Sequence, residues 1–166
     1  MAYTTINKST DYFNTKLYAG NGGTQSITGV GFQPDLIWAK ARDATETHDL
    51  VDAVRGNTKY LASPSSGAET TASNGVTAFD NDGFSLGLRT SINGSGMTFA
   101  TWNWKAGTTS GLSGGTITPS AYSINTTSKF GIYKYQGNGT GGATIAHGLG
   151  VKPAFMLIKC TSSTDD

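Results

Sequence analysis

The chain has 166 residues, a net charge of +1 and only 14% charged residues, a size that suits one ordinary domain or one domain with part of a neighbour. Its twelve Lys and Arg are scattered and offset by eleven acids, so no basic stripe offers itself to nucleic acid. No segment approaches ~18 consecutive apolar residues, and the opening MAYTTINKSTDYF lacks the basic-then-apolar pattern of a secretory signal, which predicts a soluble chain without membrane insertion or Sec export.

The balance is rich in Gly, Thr, Ser and Asn. Thr favours pleated surfaces, and Gly and Asn supply the positive φ of tight turns, so the composition reads as all-β with many hairpins. A hydrophobic fraction of 36%, with aromatics spread along the chain, argues against disorder. The one cysteine, Cys160, rules out an internal disulfide framework and any cysteine-based zinc knuckle. It is expected as a small buried apolar residue.

In chain order, residues 12–19 are strand-like and run into Gly20-Asn21-Gly22-Gly23, where Asn-Gly predicts a type I′ hairpin returning through residues 24–28. Gly29-Val30-Gly31-Phe32-Gln33-Pro34 is a corner. Residues 35–41 (DLIWAKA) are apolar enough for a central strand, with Pro34 just before it, where its missing N–H costs little. After a polar loop, HDLVDAVR is expected as a strand ended by Gly56-Asn57, because good helix formers are few. Residues 59–62 form a short element, and residues 63–75 an exposed, mobile loop without apolar periodicity.

Residues 76–79 and 84–88 flank the turn Asp80-Asn81-Asp82-Gly83, and Asn93-Gly94 leads into residues 97–105 (MTFATWNWK). That stretch alternates. Met97, Phe99, Thr101, Asn103 and Lys105 face one way, and Thr98, Ala100, Trp102 and Trp104 the other, as in a strand inside a sandwich. The fold predicted is an antiparallel β-sandwich over residues 1–106, with a closed barrel as the alternative. Residues 107–120 (GTTSGLSGGTITPS) form a Gly/Ser/Thr-rich linker, and residues 121–166 begin a second β-unit.

This second unit repeats the first. FNTKLYAGNGGTQSITGVGFQPDLIWAK from Phe13 and FGIYKYQGNGTGGATIAHGLGVKPAFMLIK from Phe130 share an aromatic run, a Gly-Asn-Gly turn, a Gly-X-Gly, a proline and an apolar strand closing on Lys. Asn21 matches Asn138 at an offset of 117 and Pro34 matches Pro153 at 119. The repeat is therefore a divergent duplication, and its second copy is expected to be partial. A unit without its later strands would expose edge and apolar face, Phe155 and Leu157 or Met156 and Ile158, for a partner chain or further residues to cover.

No catalytic set stands out. Asp80-Asn81-Asp82-Gly83 lacks the later oxygens of a calcium loop and reads as a turn. His48 with Asp49 and Asp52 reads as a solvated or hydrogen-bonded rim, since two histidines and one cysteine are too few for zinc. Glu46, Asp49, Asp52 and Glu69 leave room for paired carboxylates, but neither a Gly-X-Ser-X-Gly elbow nor a phosphate loop occurs. No catalytic residue, metal or cofactor is assigned. The candidates for recognition are Trp38, Trp102 and Trp104, because aromatic faces stack on sugar rings and anchor interfaces. Trp102 and Trp104 share a face, so both are buried or both displayed. The sequons at Asn7, Asn93, Asn125 and Asn138 are expected by chance and are read as unused.

As a set, INKSTDYFNTKLYAGNGGTQSITGVGFQPDLIWAKAR, HDLVDAVRGNTKYLAS, FDNDGFSLG, TWNWKAG and the second repeat resemble a family of virion proteins of marine and cyanobacterial tailed phages. The resemblance implies a jelly-roll or lectin-like sandwich and a structural role in a tail fibre or fibre base, with capsid decoration or head fibre as the alternative. It implies a protein made in the host cytoplasm and carried in the virion, where it forms a homo-oligomer such as a trimer and contacts other virion proteins. Host-surface glycan is its candidate ligand, at Trp102 and Trp104. A carbohydrate-binding module and a polysaccharide depolymerase are the competing readings.

Overall fold

A computed structural model describes residues 6–164. After a 3-10 turn at Ser9–Asp11 come β1 (Phe13–Ala19), β2 (Gln25–Thr28), β3 (Leu36–Ala41), β4 (Asp49–Asp52) and β5 (Lys59–Ala62). Then follow β6 (Thr70–Thr71), β7 (Val76–Asp80), β8 (Gly83–Leu86), the one-turn helix α1 (Thr90–Asn93) and β9 (Thr98–Trp104). The hairpin of β10 (Ala121–Asn125) and β11 (Phe130–Lys134) completes the set.

The protein is all-β, and the first nine strands form two antiparallel sheets packed together as a sandwich. One sheet runs β1-β9-β3-β4-β5-β6 and the other β2-β8-β7. Alternation of side chains sends Ile37 and Ala39 of β3 and Val51 of β4 inward. There they meet Ile27, Val76, Phe84 and Leu86 of the smaller sheet, with Val30, Phe32 and Ile92 closing the core. β9 is central, paired with β1 on one side and β3 on the other.

The expected hairpin at Asn21-Gly22 does not form. β1 pairs with β9 and β2 with β8, so the turn carries the chain from one sheet to the other. Gly22 has φ of 67° but Asn21 is not in the positive region, whereas a type I′ turn needs both. Asn93 holds the turn instead: its Nδ2 donates to Asn21 Oδ1 at 3.2 Å and Gly23 O at 2.7 Å, and its Oδ1 accepts from Asn21 N at 3.2 Å.

Two other expectations change. The HDLVDAVR strand stops at Asp52, because the Asp52 carboxylate accepts the Arg55 backbone N–H at 2.9 Å and turns the chain. The loop of residues 63–75 contains β6, which pairs with β5. The Asp80–Gly83 turn forms as read and joins β7 to β8.

The second unit meets the first at both of its ends. Near its start, Ser123 Oγ donates to Asp35 Oδ1 at 3.5 Å, Asn125 Nδ2 reaches Ala106 O at 3.5 Å, and Phe130 stacks on Trp104 with ring centroids 6.0 Å apart; farther on, the Glu69 N–H donates to Thr161 O at 3.1 Å and the Lys159 ammonium to the Ser65 carbonyl. Residues 107–120 carry no named strand but bond to the second unit, Thr108 with Ile124 and Thr116 with Thr144. The Gly-X-Gly corner is reproduced. Gly29 and Gly31 have φ of 76° and 90°, Gly148 and Gly150 have 63° and 71°, and the residue between, Val30 or Leu149, is buried in each copy.

Residues 155–159 depart from the expected strand. In the first copy the matching segment is β3, held by β9 and β4; in the second, among the described residues, no such neighbours flank it and no strand forms. Phe155, Met156 and Ile158 are 79%, 72% and 68% exposed, and none makes a main-chain hydrogen bond among the described residues.

Candidate functional site

The outer face of the six-stranded sheet, turned away from the core, is aromatic. Cross-strand partners in an antiparallel ladder share a face, so the register sets Trp38 of β3 directly beside Trp102 of β9, and Trp104 beside Leu36 and Phe13. Trp38 and Trp102 lie 5.9 Å apart between ring centroids at 55°. Trp104 is clamped between Phe13, at 5.0 Å, and Phe130.

These rings border a groove of about 380 Å³ lined by Trp38, Lys40, His48, Trp102 and Trp104. Lys40 lies one step along from Trp38 on the same face, opposite the small Ala100. Its ammonium donates to the carbonyls of Ala41 and Ala44, the latter at 2.9 Å, so the stem lines the groove while the charge is tied back. His48 precedes β4; its carbonyl accepts from Ser63 N at 2.9 Å, and among the described residues its imidazole has no hydrogen-bond partner. The Trp38 indole N–H is buried, also without a partner among the described residues.

Trp102 and Trp104 therefore share one face and are half-buried on it, outside the sandwich core, and Trp38 joins them. Lys40 was not singled out from the sequence, and His48 was read as part of a rim. The only sequence signal for either is its place beside an apolar strand, and the groove itself depends on β3 lying next to β9.

The acidic residues do not converge on this groove. Asp49 is fully buried on the core side, where Arg89 Nε and Ser91 Oγ each donate to it at 2.8 Å and Thr47 Oγ1 at 3.0 Å. The Arg89 guanidinium in turn lies 3.8 Å from the centre of the Tyr60 ring. Asp52 pairs with Arg55 at 2.6 Å, and Glu69 reaches the same guanidinium at 3.2 Å. Among the described residues no group of three or more His, Cys, Asp and Glu is placed to hold a metal ion, and no helix is long and apolar enough to cross a membrane.

Two further side chains differ from expectation. Cys160 is half-buried rather than part of a core, and the hydroxyls of Ser163 and Ser162 lie 3.1 and 3.7 Å from its sulfur. Hydrogen bonding, led by Ser163, lowers its pKa to about 7. Asp82 is more than a turn residue: its carboxylate accepts the N–H groups of Gly29 at 2.9 Å and Gly31 at 2.6 Å, which pins the first Gly-X-Gly corner to the β7–β8 turn.

No curated protein and no solved structure matches the chain. A family model, DUF7483, described as a domain of unknown function, matches residues 8–166, and the chain belongs to that family.

Proposed function

We propose that the chain is a non-catalytic structural component of a tailed-phage particle, placed in the tail fibre or its base, where it serves assembly and host attachment. The observation that carries this reading is the exposed apolar segment at residues 155–158, in a repeat whose first copy buries the matching segment as a central strand. Contiguous exposed apolar surface marks an interaction site, and backbone groups without ladder partners are free to pair with another chain. Copies of the same chain and neighbouring virion proteins are the partners proposed, with the resemblance to phage virion proteins as the second support. The engagement of Asp49, Asp52 and Glu69 in ion pairs favours a structural over a hydrolytic reading.

Sizing of the purified chain by light scattering is expected to give a defined oligomer. Phe155→Asp, which places a charge on the exposed segment, is expected to dissociate it without loss of the sandwich. A monodisperse monomer of the unaltered chain would contradict the assembly role. Imaging of labelled particles tests location: density at the capsid shell would move the chain to a decoration or head-fibre role.

A further inference from the structure

We infer that Asn138, in the glycine-rich turn of the second repeat, is a site of spontaneous covalent modification. Its side-chain amide is lost through a succinimide formed with Gly139, which leaves aspartate or isoaspartate in the turn. The chemistry needs only this chain and water, so it does not depend on the particle role.

The reaction has one local requirement. The main-chain nitrogen after an asparagine, having given its proton to solvent, attacks the side-chain Cγ. A C–N bond forms, the Cγ–Nδ2 bond breaks, and the amide nitrogen takes a proton from solvent and leaves as ammonia. Water then opens the cyclic imide at either carbonyl, so that the main chain runs on as aspartate or, through the side-chain carbon, as isoaspartate. Glycine in the second position leaves the attacking nitrogen unshielded and the peptide free to rotate, provided that the fold does not hold either group.

Four Asn-Gly pairs occur in the chain, and the fold restrains three of them. At Asn21 the Gly22 N–H donates to Asn93 O at 2.8 Å, and the side chain is held by Gly23, Thr24 and Asn93. At Asn93 the side chain is fully buried and the Gly94 N–H donates to Thr90 O at 2.9 Å. Asn74 is exposed, but its main chain is fixed on both sides. There the Gly75 N–H donates to Ala72 O at 3.3 Å, while the Asn74 and Gly75 carbonyls accept from Arg89 and Gly87, each at 2.9 Å.

Asn138 stands open. It is exposed, its Oδ1 accepts the Thr140 N–H at 3.0 Å, and among the described residues neither its Nδ2 nor the Gly139 N–H has a partner. Nothing lies within 4 Å of where a Cβ would stand on Gly139, so the peptide has room to turn toward Cγ. In the first copy a Cβ on Gly20 would meet the Gly94 carbonyl oxygen at 2.2 Å. The same Gly-Asn-Gly motif is thus locked by Asn93 in one copy and has no such lock, among the described residues, in the other. Each event replaces a neutral amide by a carboxylate and takes the net charge from +1 to zero near neutral pH. The isoaspartate form also adds a methylene group to the main chain between β11 and Thr144, which is bonded to Thr116.

The test is to incubate the purified full chain in heavy-oxygen water at mildly alkaline pH, digest it with trypsin in ordinary water, and follow each Asn-Gly pair by mass spectrometry. Isoaspartyl methylation gives an independent readout. Cleavage after Lys and Arg places the four pairs on separate peptides, 17–40, 60–89, 90–105 and 135–159. Heavy-oxygen uptake in 135–159 is expected to run about tenfold or more faster than in the other three, and all four are expected to react at comparable rates in urea, where the restraints are gone. Asn138→Gln, whose longer side chain closes its ring far more slowly, is expected to remove the signal from that peptide and leave the circular dichroism unchanged. A native chain in which Asn138 reacts within about twofold of Asn21 or Asn74 overturns the inference. So does a 135–159 peptide that stays unmodified in the native chain while reacting in urea. Uptake that persists in Asn138→Gln would place the event at another residue and overturn it as well.

Discussion

Asn93 is fully buried and its amide makes five contacts, to Asn21 Oδ1, the Asn21 N–H, Gln25 Nε2, Gly23 O and Gly87 O. It thereby ties the sheet-to-sheet turn to the segment after β8, and its sequon is closed to modification in the folded chain. Asn93→Ala should strand several of these groups and cost roughly 3 kcal/mol, read by urea denaturation. Exposed carboxylates act in a pH-dependent way. Backbone N–H groups of Gly31 and Gly29 hold the Asp82 pKa below its ordinary value, and the backbone and hydroxyl of Thr98 do the same for Asp43. A depressed folded pKa means that the stabilisation is present above the ordinary value of 3.8 and is lost as pH falls through the folded one. Asp35 runs the other way, raised chiefly by burial, so its contribution is fullest at low pH and fades as pH rises through its folded pKa. Urea midpoints measured from about pH 6 down to about pH 2 should fall less steeply in Asp82→Asn and Asp43→Asn than in the parent protein. The sequence shows Asp82 as a turn residue, but not its bonds to a corner fifty residues upstream, because nothing local encodes that approach.

Among elements, the period-two alternation of residues 97–105 foretold both the strand β9 and its two faces, since a strand offers only two. Partnership was less legible. Asn-Gly between two strand-like runs suggests a local hairpin, yet β1 and β2 lie in opposite sheets. What overrides the local signal is long-range: β1 finds seven partners along β9, and Gly20 sits so close to the Gly94 carbonyl that a Cβ would lie 2.2 Å from it. Gly83 offers a sharper case. Its φ is 153°, and a Cβ there would fall 1.9 Å from the Ile27 carbonyl oxygen of β2. Gly56, at φ of 95°, has open space around it. Gly83→Ala should therefore cost roughly 3 kcal/mol or more, by pushing β2 off β8, whereas Gly56→Ala should cost only about 1 kcal/mol of backbone strain. Thermal denaturation of the two variants, compared side by side, checks the ranking.

At the scale of the whole molecule, duplication was visible in spacing alone, and the shared Gly-X-Gly corner with its buried middle residue gives it a structural counterpart. The tryptophan groove was half legible. Alternation put Trp102 and Trp104 on one face, but Trp38 and His48 reach the same groove only because β3 docks between β9 and β4, and sheet order is a property of the assembled core. The family match runs through residues 107–120 without a break, so both β-units belong to one family span. β9 is followed by residues 107–120 and then by the second unit, and it is flanked by seven register pairs to β1 and six to β3. A pull on the second unit is thus delivered along the axis of a strand bonded on both sides, which loads the two ladders together in shear instead of peeling one bond after another. The Asp35 contact to Ala106, at the point where that strand ends, passes part of the load to β3 as well. The joint between the two units is in this sense a mechanical coupling, anchored on a strand paired on both sides and not on the edge strand.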